Sequence, residues 1–185
     1  ASAFVDLLNN VEDRVGLVTF GSGVTLDLPP TADFALLKEK LNSFGPAGDT
    51  AVPEAMQAAN EQLAALSSDP ASGHRLMILL TDGIANRLAG VTYDTTTWLK
   101  VDFLGQELMA RTHPTVAEAM AAQAETARLN GVQIYCVTLG SEVEQELSRR
   151  IAAHTGGGYY HAETRDKLAD IFVDIFARLQ PILTQ

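Results

Sequence analysis

The chain has 185 residues, 46% of them hydrophobic, and a formal net charge of −10. That length suits one domain with a sizeable core, and the apolar content argues against disorder. The acidic balance excludes the basic footprint of a nucleic-acid binder and would be repelled by an anionic membrane surface. It fits a domain that meets a cation or a basic partner. Cys136 is the only cysteine, so neither an intrachain disulfide nor a Cys-rich zinc site is expected. It lies in the apolar run 133–137 and reads as a small buried hydrophobe. No apolar run approaches the roughly 18–20 residues of a membrane-spanning helix. No basic segment followed by an apolar one opens the chain. The protein is therefore expected to be cytoplasmic, or to have a targeting region outside these residues.

Residues 1–10 read as helix, with Phe4, Val5, Leu8 and Val11 on one stripe and no cap before them. Arg14 to Phe20 is the first predicted strand, ended by Gly21-Ser22-Gly23. Val24 to Leu28 follows, with Val24, Leu26 and Leu28 inward and Pro29-Pro30 closing it, near enough to form a hairpin. A helix is expected over 33–43. After the loop 45–50, Pro53 opens a second helix running to about Leu66. Residues 67–73 are a polar turn. Leu76 to Leu80 is an apolar strand buried on both faces, ending at Thr81-Asp82-Gly83.

Residues 86–114 read as an irregular insertion with a Thr cluster and the only tryptophan, Trp98. Thr115 with Glu118, and Ser141 with Glu144, have the capping-box pattern before two further helices. Asn130-Gly131 ends the first of these, and Val132 to Leu139 is another buried strand. Gly156-Gly157-Gly158 turns into a short strand, 159–162. A last helix carries Leu168, Ile171, Phe172, Ile175, Phe176 and Leu179, and Pro181 is expected to stop it. Strands alternating with helices of crossover length predict one α/β domain over 1–185. Its sheet is doubly wound, mostly parallel and open, with helices on both faces.

Ligands of such sheets bind outside the carboxyl ends of the strands. That directs attention to loops 21–23, 48–50 and 81–83. Asp82 would emerge at that edge, and Gly83 would let the backbone turn. Thr50 precedes a helix, where its hydroxyl either caps the helix or coordinates a cation. One hydroxyl and one carboxylate make a partial site for a hard cation such as Mg2+. The bland alternative makes Thr50 only a cap and Asp82 only a turn former. The histidines (His74, His113, His154, His161) lack helical zinc spacing. The triple glycine precedes a strand and is no dinucleotide fingerprint.

Four segments, 14–20, 48–55, 79–83 and 132–140, together resemble successive parts of a von Willebrand factor type A domain, in that family's order. The resemblance covers nearly the whole chain. It implies a metal-ion-dependent adhesion site in which Thr50 and Asp82 ligate Mg2+ or Mn2+, with Asp49 and Gly83 just behind them. The family's third loop, Asp-x-Ser-x-Ser, follows a central strand that would precede residue 1. The resemblance thus implies that this strand is absent from the chain, between the strands at 14–20 and 76–81. The 185 residues alone are then expected to hold metal weakly or not at all.

The implied function is binding rather than catalysis. A protein ligand would present an acidic residue that completes the metal's coordination. Tyr93, Trp98 and Phe103 of the insertion either contact that partner or pack the insertion onto the body. The last helix, trailing into Leu183-Thr184-Gln185, resembles surface or Tad-pilus-associated bacterial members, which implies a cell-surface or extracytoplasmic place, with room for an anchor in a preceding region. The alternative is a cytoplasmic accessory subunit of a chelatase or AAA-type ATPase complex. A haloacid-dehalogenase-like phosphatase would need an Asp-x-Asp motif, and the sequence has none.

Overall fold

The computed structural model describes residues 5–8, 12–44, 48–66 and 74–183. Most of the predicted first helix and the turn at 67–73 therefore lie outside the described residues.

Strand β1 (Val15–Phe20) pairs antiparallel with β2 (Val24–Thr31). The strand β2 continues through Pro29-Pro30 instead of stopping there. Proline lacks a ladder donor, and β2 can carry two because its other edge pairs with no described strand. The register slips twice, between Val15 and Leu17 and between Leu17 and Val18. At the second slip Leu17 faces Leu28 but Val18 faces Leu26, so Asp27 is an extra residue in β2. A bulge of this kind reverses the side-chain alternation. Leu28 is buried, while Leu26 is 41% exposed, which corrects the expectation that both point inward.

Helix α1 (Phe34–Ser43) is capped by Asp33, whose carboxylate accepts from the Leu36 amide at 3.0 Å. It buries Leu37 beside Leu28 and Val5. Helix α2 (Val52–Ala64) carries Pro53 in its first turn, where the missing N–H costs no intrahelical bond. Its residues Val52 and Met56 enter the main core.

Strands β3 (Arg75–Thr81), β8 (Val132–Leu139) and β9 (Tyr159–Ala162) form a parallel sheet in the order β3-β8-β9. One face carries Met77, Leu79, Ile134 and Cys136 into a core with α2, α3 (Pro114–Leu129) and α4 (Gln145–Thr155). The other face carries Leu76, Ile78, Leu80, Tyr135 and Val137 under α5 (Leu168–Leu183), which supplies Phe172, Ile175 and Leu179. This is the expected α/β class, a parallel sheet with helices on both faces. Among the described residues β1 pairs only with β2 and β3 only with β8, so the two sheets share no hydrogen bonds. Helix α2 nonetheless packs against β1, β2 and β3.

Three boundaries differ from the sequence reading. Helix α3 begins at Pro114, and its cap is His113, whose Nδ1 accepts from the Thr115 amide at 3.2 Å. Helix α4 begins at Gln145 without a side-chain cap, and the Glu144 carboxylate accepts from the Arg111 amide instead. Helix α5 runs past Pro181 to Leu183, because proline so near the end removes a single bond of the last turn.

The insertion is ordered into two hairpins, β4 (Arg87–Leu88) with β5 (Val91–Thr92) and β6 (Leu99–Phe103) with β7 (Gln106–Ala110). Each turns on two residues of positive φ, Ala89 (50°) with Gly90 (81°) and Leu104 (54°) with Gly105 (76°). Left-handed pairs match the twist of a tight hairpin, and only one residue of each pair here is glycine.

Candidate functional site

The carboxyl end of β3 turns on itself at Thr81, whose hydroxyl accepts from the Gly83 amide at 3.3 Å and donates to its carbonyl at 3.2 Å. This turn leaves Asp82 exposed. No hydrogen bond or ion pair engages the Asp82 carboxylate among the described residues.

The Thr50 loop is held against this turn from two sides. Asn86 donates its amide to the Thr50 carbonyl (3.2 Å) and accepts from the Thr50 amide through its side-chain oxygen (2.8 Å). From the β1–β2 turn, the Gly21 carbonyl accepts from the Ala51 amide (3.1 Å) and the Ser22 hydroxyl accepts from the Asp49 amide (3.0 Å). Loops 21–23, 48–51 and 81–86 therefore converge, as the carboxyl-edge rule anticipates.

Two glycines make the convergence sterically feasible. A Cβ on Gly48 would stand 2.0 Å from the Ser22 hydroxyl oxygen, and its φ is +73°. A Cβ on Gly83 would stand 2.8 Å from Thr50 Oγ1. Gly83 thus keeps open the space beside the Thr50 hydroxyl, next in sequence to Asp82. That hydroxyl has no hydrogen-bond partner among the described residues. A free hydroxyl beside a cradle that a side chain would fill, with a free carboxylate on the residue before Gly83, matches part of the donor set of a hard cation. They are two donors of such a set. Among the described residues, no group of three or more His, Cys, Asp or Glu side chains could hold a metal ion.

Asp49 differs from Asp82. Its carboxylate accepts from Thr92 Oγ1 (2.7 Å), Arg87 Nη1 (3.0 Å) and Asn86 Nδ2 (3.5 Å). Thr92 first, with Arg87 and Asn86, holds this carboxyl below its ordinary range against partial desolvation. Sequence reasoning missed Asn86, Arg87 and Thr92, and reached Ser22 only through its loop, 21–23. Asn86 stands three residues after Gly83, but nothing local announces its bonds to a residue 36 positions earlier.

The three aromatics of the insertion separate. Phe103 is 0% exposed and packs in the main core, so it fastens the insertion to the body and offers no partner surface. Tyr93 is partly buried and stacks on His113, with ring centroids 4.4 Å apart. Trp98 is 59% exposed.

Residues 1–85 match the family model of the von Willebrand factor type A domain. A von Willebrand factor type A structure from Catenulispora acidiphila superimposes on 95% of this chain with a TM-score of 0.68 and 18% identity. The fold is that of a von Willebrand factor type A domain.

The same fold recurs in the domain of the type V pili tip protein Mfa5 from Porphyromonas gingivalis. There the TM-score is 0.70 and the identity 14%, over 100% of this chain and 87% of that one. Proximal thread matrix protein 1 from the mussel byssus, solved with zinc occupying its adhesion-site motif, gives a TM-score of 0.62 at 18% identity. It is matched over 95% of this chain and 37% of its own. A curated relative, a UPF0353 protein of Mycolicibacterium paratuberculosis, is 24% identical over 177 residues, 86% of this chain. The chain spans 46% of that relative's length and 35% of the Catenulispora chain. Among the described residues, no helix of this von Willebrand A fold is long and apolar enough to cross a membrane.

Proposed function

We propose that this domain is a binding module that holds a protein ligand through a divalent cation, Mg2+ or Mn2+, at the carboxyl edge of its sheet. Thr50 and Asp82 are its ligands in this chain, and an acidic side chain of the partner completes the coordination. The observation that carries the reading is the pair of unengaged oxygens on either side of Gly83, where a Cβ would stand 2.8 Å from Thr50 Oγ1. A structural cap or turn former would have spent those oxygens on the backbone. The zinc-occupied adhesion motif of the byssus protein supports a metal at the corresponding edge. Likeness to a pilus-tip domain supports a role outside the cytoplasm.

Two protein ligands leave the cation undersupplied, so a third loop is required. It arrives on a strand that pairs with both β1 and β3. Support comes from the unpaired edges of these strands among the described residues, under a helix that packs on both. In the full-length protein the outward amides of β1 and β3 then exchange slowly with solvent. Fast exchange along both edges would remove the added strand.

The direct test is titration of the full-length protein with Mn2+ and Mg2+, beside Asp82→Ala and Thr50→Ala. Both variants lose affinity, Asp82→Ala the more. Equal binding by wild type and Asp82→Ala takes Asp82 out of the site.

A further inference from the structure

We infer that Arg87 is a specificity-determining residue of this edge, a fixed counter-charge that makes it accept carboxylate ligands; this rests on the metal-dependent reading above.

Arg87 opens the first hairpin of the insertion, five residues after Asp82. Its Nη1 donates to Asp49 Oδ2 at 3.0 Å and to Thr92 Oγ1 at 2.9 Å. The remaining N–H donors of the guanidinium have no hydrogen-bond partner among the described residues. The hairpin that carries it is fastened on other sides. Glu54 accepts from the Ala89 amide at 2.7 Å, and the Tyr93 amide donates to the Asn86 carbonyl at 2.7 Å. Arg87 is therefore held in place before any ligand arrives.

Its charge matters because of what surrounds it. Asp49 and Asp82 lie on two loops that touch, in a chain of net charge −10. An approaching carboxylate would add one more negative group there. A divalent cation offsets two of the negative charges at this edge and Arg87 offsets one more, so the edge repels a carboxylate less with Arg87 than without it. Its free donors are left to meet the carboxylate oxygen that the metal does not take, in a charge-assisted hydrogen bond. The same charge opposes the cation, so Arg87 trades metal affinity for ligand affinity.

That opposition gives a signature of sign. In the full-length protein, Mn2+ affinity is read by calorimetry, and acetate, as the carboxylate probe, by the change in water-proton relaxation as it displaces Mn2+-bound water. Arg87→Gln is expected to bind Mn2+ about threefold or more tighter and acetate about threefold or more weaker, as loss of one nearby charge implies. Asp49→Asn, which leaves Arg87 unneutralised, moves both affinities the other way and carries the test where Arg87→Gln fails to fold. Raising salt shrinks both effects. Variants that shift the two affinities in the same direction, or neither, overturn the inference. If wild type takes up no Mn2+, the metal reading falls and Arg87's role with it. If wild type and Arg87→Gln bind Mn2+ and acetate alike, only the role of Arg87 falls.

Discussion

Asn86 holds both backbone polar groups of Thr50, accepting from the Thr50 amide at 2.8 Å through its side chain and donating its own amide to the Thr50 carbonyl at 3.2 Å. The side chain supplies only the first bond. Asn86→Ala leaves a partly buried amide unpaired, at a cost of about 1–2 kcal/mol. Asn86→Asp keeps the acceptor but sets a second carboxylate 3.5 Å from that of Asp49, so it should recover only part of that loss. Denaturant unfolding checks the stabilities, and Mn2+ titration should show alanine weakening the metal more than aspartate does. Equal metal binding by all three proteins would make Asn86 merely structural.

Gly83→Ala tests the cradle. Its φ lies outside the left-handed region, so backbone strain is not at issue. The added methyl would press on Thr50 Oγ1 at 2.8 Å, and the hydroxyl must turn away. The expected result is a folded protein, destabilised by about 1–2 kcal/mol as overpacking does, with metal affinity reduced at least as far as in Thr50→Ala. Retained affinity would show that the Thr50 hydroxyl is no ligand.

Phe103 and Trp98 lie five residues apart in the insertion and should respond oppositely. Phe103→Ala empties a fully buried site and should cost about 3–5 kcal/mol. Trp98→Ala touches an exposed ring and should alter stability by no more than about 0.5 kcal/mol. If Trp98 anchors the protein partner, its loss weakens that binding while metal affinity stays. A large stability loss at Trp98 would mean that the ring packs on the body.

Much of this fold could be read from the chain. The apolar runs at 76–80 and 132–139 are the parallel strands, because burial on both faces leaves no polar alternation to mislead. The convergence of the Thr50 and Asp82 loops follows from their places at element ends. The insertion was not legible, since its turns use Ala89-Gly90 and Leu104-Gly105 where the recognisable signal is Asn-Gly. Leu26 was misread because bulges in β2 are set by pairing with β1, and period alone does not reveal them. Asn86 and Arg87 act on Asp49 and Thr50 across 36 to 38 positions, a link that exists only once the sheet has formed.

Glu125 ties α3 to α4 and gives the fold a defined acid response. Its carboxylate accepts from Arg128 through two bonds of 2.7 Å within α3, and it meets His154 Nε2 of α4 at 2.7 Å. Arg128 first, then His154, lowers its pKa to about 2. A depressed carboxyl binds its proton more weakly folded than unfolded. Its stabilisation is therefore complete above the ordinary value of 4.5 and is lost as pH falls from there towards about 2. Glu125→Gln should melt below wild type at pH 6, and the gap between them should close over that interval. High salt should narrow the gap at pH 6, because the carboxylate is solvent-accessible. Melting curves at stepped pH and two ionic strengths decide it: a gap that persists unchanged at pH 2 would assign the loss to packing between the helices instead of to the charge on Glu125.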